Sequence, residues 1–182
     1  MKNLFMILLL LCNFFLLTAC GEKISAGEKV MEFLDKYKNN DIVVMKELDE
    51  YIANEEINEK QEQVYKNIFL KQYEALNYEI LSETYDGNNC KVLTKISVID
   101  LVKAQKSAVI YLNEHVDEFK NDSGVYDREI FLDYKLEKMA QSSDMIDYTI
   151  EFNLVNENGK WELKQLTNDE LEKIHGIYDY EG

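Results

Sequence analysis

The 182-residue chain has no proline, seven glycines, three cysteines, two histidines and one arginine. Without proline, internal repeats or low-complexity tracts, nothing reads as an interdomain linker, and the length suits one domain. Three cysteines cannot build a disulfide framework or a four-cysteine zinc site. A lone Arg128 removes recognition of phosphate by an arginine cluster. Positive charge as a whole is scarce: 20 Lys+Arg stand against 35 Asp+Glu, for a net charge of −15. Affinity for nucleic acid comes mainly from neutralising phosphates, so no nucleic-acid partner is expected. GxSxG, SxxK, GxxxxGK and GxGxxG are all missing, and neither histidine sits in HxxxH or HExxH spacing. What the chain does have is apolar substance, at 46% hydrophobic and 12% aromatic residues. That is enough to bury a core and excludes general disorder.

The longest apolar run is Leu4–Leu17, broken only by Asn13 and preceded by Lys2. Fourteen residues fall short of the ~20 a transmembrane helix needs but suit the h-region of a signal peptide. The run ends in Leu17-Thr18-Ala19-Cys20-Gly21. This resembles the bacterial lipobox, in which a small residue precedes an invariant cysteine. The resemblance implies diacylglyceryl transfer to the Cys20 thiol, cleavage between Ala19 and Cys20, and acylation of the new N-terminus. Residues 1–19 are then a lipoprotein signal peptide, 20–27 a lipidated tether and 28–182 a single domain. Removing residues 1–19 takes away one lysine and no acid, so the net charge becomes −16. An anionic lipid surface would repel such a body, and attachment rests on the lipid at Cys20. The expected location is the extracytoplasmic face of the cell membrane.

The rest of the chain alternates between helical and strand periods. Val30, Phe33, Leu34 and Tyr37 form one helical stripe over 28–39. Asp41 can cap a second helix carrying Val44, Met45, Leu48 and Ile52. Residues 55–76 read as a longer helix with a Tyr65-Phe69-Tyr73 row, assigned to core packing rather than to a stacking platform. The period then becomes two. Residues 78–85 and 90–99 form a hairpin around Asp86-Gly87-Asn88-Asn89. Asp100 can cap a helix over 101–119 with the stripe Leu101, Ala104, Ala108, Leu112, Val116 and Phe119. A further helix spans 126–140, with Ile130, Phe131, Tyr134 and Met139. Ile146, Tyr148, Ile150, Phe152 and Leu154 alternate with polar residues in the clearest strand, which turns at Asn156–Gly159 and returns through Trp161 and Leu163. Thr167-x-x-Glu170 is a capping box opening a last helix; Gly176 suits its end, and 178–182 read as a loose tail.

Helices beside antiparallel hairpins make the fold class α+β, with a curved antiparallel sheet of about four strands packed against N-terminal and inserted helices. The layout resembles the nuclear-transport-factor-2-like (cystatin-like) fold and small lipoproteins that carry such a domain. The likeness is carried by the opening Val30/Phe33/Leu34 helix, the strand Cys90–Ile99 running into Asp100-Leu101, and Gly159-Lys160-Trp161-Glu162-Leu163 followed by Thr167–Leu171. That fold includes ketosteroid-isomerase-like enzymes, but none of their site residues transfers to a position here.

Candidate chemistry is sparse. Cys90, the thiol left after processing, heads an apolar alternation and reads as buried. His115 lies at the edge of an apolar stripe. His175 lies in a last helical turn, where a cation would favour the helix dipole; both histidines read as structural or solvated side chains. Asp117-Glu118 with Asp122, and Asp127 with Glu129 and Asp133, lack the looped order that calcium demands and read as solvated faces. Asp100, between strand and helix, is the one acid that could face a pocket. No catalytic, cofactor-binding or metal residue is assigned, and no cofactor is implied. The reading is a non-enzymatic, membrane-anchored lipoprotein that binds an envelope protein or a small ligand in the cone between sheet and helices. The alternative is a small-molecule enzyme using that cone.

Overall fold

The computed structural model describes residues 24–180. The signal peptide, Cys20 and most of the tether lie outside them, as do the last two residues.

Three helices come first, each opened by a side chain that accepts a bond from an orphan N–H of the first turn. Ser25 caps α1 (Ala26–Lys38) in a full capping box with Glu28. Asp41 caps α2 (Ile42–Ala53) by accepting from the Val43 N–H. Asn58 and Gln61 form a second capping box at α3 (Glu59–Ala75). The start of α1 at Ala26 shortens the expected tether, because Ala26 and Gly27 are buried parts of the domain.

Strands β1 (Asn77–Asp86) and β2 (Asn89–Ile99) follow as a hairpin, and β3 (Met145–Glu157) and β4 (Lys160–Leu163) as a second. They form one open antiparallel sheet in the order β1-β2-β3-β4, with an irregularity in β1 at Leu81. Asn158 and Gly159 both have positive φ, at 54° and 86°, which is the primed turn that matches strand twist. Between β2 and β3 the chain makes α4 (Leu101–Glu114), a 3-10 turn (Val116–Phe119) and α5 (Arg128–Gln141). The last helix, α6 (Asn168–His175), opens on the Thr167/Glu170 capping box and closes at Gly176 in the left-handed region.

The period of two sets the faces of the sheet. Cys90, Val92, Thr94 and Ile96 pair with Leu154, Phe152, Ile150 and Tyr148, and all eight are buried. Lys91, Lys95, Asp147 and Glu151 lie on the other face, with Lys91–Glu151 and Lys95–Asp147 ion pairs at 2.7 Å. Exposed pairs of this kind add at most about 1 kcal/mol each, whereas each large apolar side chain buried on the inner face contributes roughly 1.5–3 kcal/mol. The inner face therefore fixes the register. Helices α1, α3 and α6 pack on the sheet. A second cluster joins Ile68 of α3, Ile99 at the end of β2, Leu101 of α4, and Leu136 and Met139 of α5.

Three expectations need correction. Helix α4 stops at Glu114, because His115 leaves the helical region at φ −130° and a 3-10 turn follows. Val116 is thereby turned out of the apolar stripe and is exposed, while Phe119 stays buried. Ile130 is likewise exposed; Leu136 takes the core position of α5. The expected loose tail is docked as far as Tyr180. The Tyr178 ring meets Tyr148 edge-on at 5.8 Å and lies under the Lys173 ammonium. The Tyr180 hydroxyl donates to Asp100 Oδ2 at 3.2 Å.

Candidate functional site

One face of each of four helices converges on a cavity of about 170 Å³. Helix α2 supplies Val44, Glu47, Leu48 and Tyr51, which is the i, i+3, i+4, i+7 spacing of a single face. Tyr37 comes from the end of α1, Phe69 and Tyr73 from α3, Leu171 and His175 from α6, and Ile177 from just beyond Gly176. No strand residue lines it. The expected cone between sheet and helices is filled by side chains such as Phe33 and Phe152, whose rings meet at 6.1 Å. The open space lies among the helices instead.

His175 is the polar centre of the cavity wall. Its Nδ1 lies 3.0 Å from the Tyr73 hydroxyl. Phe69 and Tyr37 stand edge-on to the imidazole at 5.6 and 5.9 Å. These rings remove water from it, and the desolvation pushes its pKa down to about 4. The helix dipole at the C-terminus of α6 does not make it a cation: His175 is neutral at pH 7. A helix dipole stabilises such a cation by only about 0.3–1 kcal/mol, less than the desolvation that opposes it. With the ring neutral, the Tyr73 O–H can donate to Nδ1, and Nε2 has no hydrogen-bond partner among the described residues.

The phenols around it are held protonated. Burial, assisted by the Glu47 carboxylate, pushes Tyr37 up to about 12. Burial is also the first cause of the upward shifts at Tyr51 and Tyr73; Glu55 and Glu172 add to the first and Glu47 to the second. Glu47 is itself exposed. The cavity is thus lined by apolar and aromatic side chains, with His175 as a neutral polar group and Glu47 as the one carboxylate. The Tyr65-Phe69-Tyr73 row does serve the core, with Phe69 and Tyr73 each 1% exposed, yet two of its three rings also wall the cavity.

The other residues singled out in the sequence are not brought to this site. Cys90 is buried in the inner face of β2, and burial raises its thiol pKa, which makes a poor nucleophile. His115 stacks on Tyr111 with ring centres 4.0 Å apart and lies 3.2 Å from Glu118, on the exposed side of the insert. Both carboxylate oxygens of Asp100 are occupied: Oδ1 accepts from the Lys103 N–H at 2.8 Å and Oδ2 from Tyr180. Asp117 pairs with Lys120, which lowers its pKa. Asp127 caps α5, and Glu129 and Asp133 both accept from the Gln61 amide, at 3.0 and 2.9 Å. The second acidic cluster thus clamps α5 onto α3. Among the described residues no group of three or more His, Cys, Asp or Glu is placed to hold a metal ion, and no helix is long and apolar enough to cross a membrane.

Two buried glutamines matter that the sequence patterns do not single out. Gln61 is legible in hindsight as the fourth residue of Asn58-x-x-Gln61. Gln72 falls on the same helical face as Ile68 and Phe69; its Oε1 accepts from the Ile99 N–H at 2.8 Å and its Nε2 donates to the Ile174 carbonyl at 3.2 Å. It ties α3, β2 and α6 together directly behind His175.

No family model, curated protein or solved structure matches the chain.

Proposed function

We propose that the protein is a membrane-anchored, extracytoplasmic lipoprotein whose folded part is a non-enzymatic binding module for a small ligand. The anchor rests on the lipobox at Cys20. The binding role rests on one observation: a cavity of about 170 Å³ among four helices, lined by apolar and aromatic side chains with Glu47 and His175 among them. Specific small-molecule sites have this make-up, with apolar walls and a few convergent polar groups. An apolar cavity of about 150 Å³ is large enough to hold benzene.

Two measurements test the reading. Cys20→Ser should move the protein from the membrane fraction to the soluble fraction or leave it as an unprocessed precursor. Intact mass of the wild type should show residues 1–19 removed and acyl chains added; an unmodified chain starting at Met1 defeats the anchor. Filling the cavity with Leu48→Trp should abolish ligand binding while the fold persists.

The enzymatic alternative is favoured by one feature, the hydrogen-bonded Tyr73–His175 pair facing the cavity. A histidine held at a pKa of about 4 is a weak base at neutral pH, which is why the binding reading is preferred. Turnover lost in His175→Gln with folding intact would reverse that preference.

A further inference from the structure

We propose that the end of the sheet beside the anchor rests on the lipid surface, with Ile24, Tyr85 and Trp161 at the head-group level of the bilayer that holds Cys20. The inference rests on the lipid-anchor reading above and adds the face that the domain turns to the membrane.

Chain length brings this end to the surface. The link from Cys20 to Ile24 spans at most about 14 Å when fully extended. Ile24 is 48% exposed and stands just before α1. The first turn of α1 sits against the end of β1: the Ala26 N–H bears on the Tyr85 hydroxyl, and a Cβ on Gly27 would meet the Glu83 carboxylate. Tyr85 is 54% exposed, and its ring lies 5.6 Å from that of half-buried Trp161. Tyr85 pairs with Cys90 and Trp161 with Asn156, so both rings lie beside the two hairpin turns, at the end of the sheet remote from the insert.

The residue types suit the interface. Tryptophan and tyrosine carry an apolar body and a polar tip, and they collect at the level of lipid head groups. The polar tip of Tyr85 is satisfied locally, by donating to Glu83. Glu28, Glu83 and Glu157 put carboxylates at the same end, so the surface it fits is zwitterionic rather than anionic.

The contact need not be strong. Once Cys20 is held by the bilayer, the patch meets the surface intramolecularly, at an effective concentration on the order of millimolar for so short a link. A partition too weak to recruit the free protein then suffices to favour one orientation. Ile42 and Val43 are exposed as well, but they follow the far end of α1, about 20 Å along the helix from Ile24, and lie farther from the anchor.

Trp161 is the sole tryptophan of the chain and reports on the patch directly. The experiment uses the processed, lipidated protein in phosphatidylcholine vesicles, with and without a nitroxide on the choline head group. Flotation of the protein with the vesicles establishes the anchor. Trp161 emission should then fall at least about twofold in the nitroxide vesicles, which quench rings at head-group depth. Two variants separate contact from mere tethering. Ile24→Ser/Tyr85→Ser should still float, because the lipid holds it, but should regain most of the emission. Trp161→Phe/Met145→Trp moves the reporter to an exposed position at the other end of the β2–β3 ladder, roughly 30 Å from Cys90, and should escape quenching. Protein that floats with Trp161 unquenched overturns the inference and leaves the anchor standing. Quenching that survives Ile24→Ser/Tyr85→Ser, or that is equal at position 145, also overturns it, because the patch then does not set the orientation. Protein that fails to float overturns the anchor and the inference together.

Discussion

His175 makes stability depend on pH in a window where few other side chains titrate. Its pKa in the folded chain is depressed from 6.5 to about 4 by burial among Tyr37, Phe69 and Tyr73. The unfolded chain therefore binds the proton first as pH falls. The stability contributed by the neutral ring is fully present above about pH 6.5, is lost progressively between about 6.5 and 4, and changes no further below that. A tenfold change in proton affinity corresponds to about 1.4 kcal/mol, so the full loss is about 3 kcal/mol, of which roughly 2.5 kcal/mol is reached at about pH 4.5. Asp117, Asp133 and Asp147 have lowered pKa values, so their contributions vanish only as pH falls below about 3.8, outside this window. Relief of self-repulsion in a chain of net charge −15 acts in the opposite direction as other carboxylates are protonated. The isosteric control His175→Gln carries the same background and can still accept from Tyr73. The assay is urea unfolding of both proteins at about pH 7 and about pH 4.5, with the difference of differences taken as the His175 contribution. It should be about 2–3 kcal/mol in favour of neutral pH for the wild type. A difference below about 0.5 kcal/mol, or a ring-proton titration midpoint near the unperturbed 6.5, would refute the desolvated, neutral imidazole.

Three further outcomes are expected. Phe152→Ala should cost about 3–5 kcal/mol in urea unfolding, because Phe152 is wholly buried under α1, whereas Trp161→Ala should cost about 2 kcal/mol, because Trp161 is half-buried at the β4 edge against Tyr85; a reversed order would show the inner face misassigned. Gly176→Ala should cost clearly more than the ~1–2 kcal/mol of a left-handed backbone, because its Cβ would collide with the Ile99 carbonyl and the Gln72 amide; Gly124→Ala, with the same sign of φ and open space around it, isolates the backbone part, and equal losses at the two sites would remove the close approach. Asp100→Ala should cost about 1–2 kcal/mol by losing the cap of α4, while Asp100→Asn should stay within about 0.5 kcal/mol of wild type; an Asn variant as unstable as the Ala variant would mean that charge, not capping, is the role.

How much of this was legible beforehand depends on whether the cause is local. The β3 alternation and the caps at Asp41, Asp100 and Thr167 are set by neighbours within four residues, and all four appear where their patterns place them. The cavity is different. Its walls combine Tyr37, Tyr51, Tyr73 and His175, which only helix packing brings together. His175 shows the limit most plainly: its position in α6 argues for a cation, and only the rings supplied by α1 and α3 argue against one. The docking of Tyr180 was hidden for the same reason, since its partner Asp100 lies 80 residues away. The lipobox is local too, and it needs no fold at all to be read.

The Ile99↔Met145 rung carries a kinetic consequence. It is the mouth of the loop formed by residues 100–144, and the β2–β3 ladder zips from there. For a flexible chain, closing that loop costs about 2 kcal/mol more than closing a four-residue hairpin. The insert need not remain flexible. Helices α4 and α5 pack on each other, and the Asp100 N–H donates to the Asp144 carbonyl at 2.8 Å while Lys103 reaches the Asp144 carboxylate at 2.6 Å. Once that clasp forms, the insert is a short tether between two strands, and the sheet can close in the time of a local event. A clasp of Asp100, Lys103 and Asp144 that forms early would therefore shorten the time for which the β2 edge stands open to other chains.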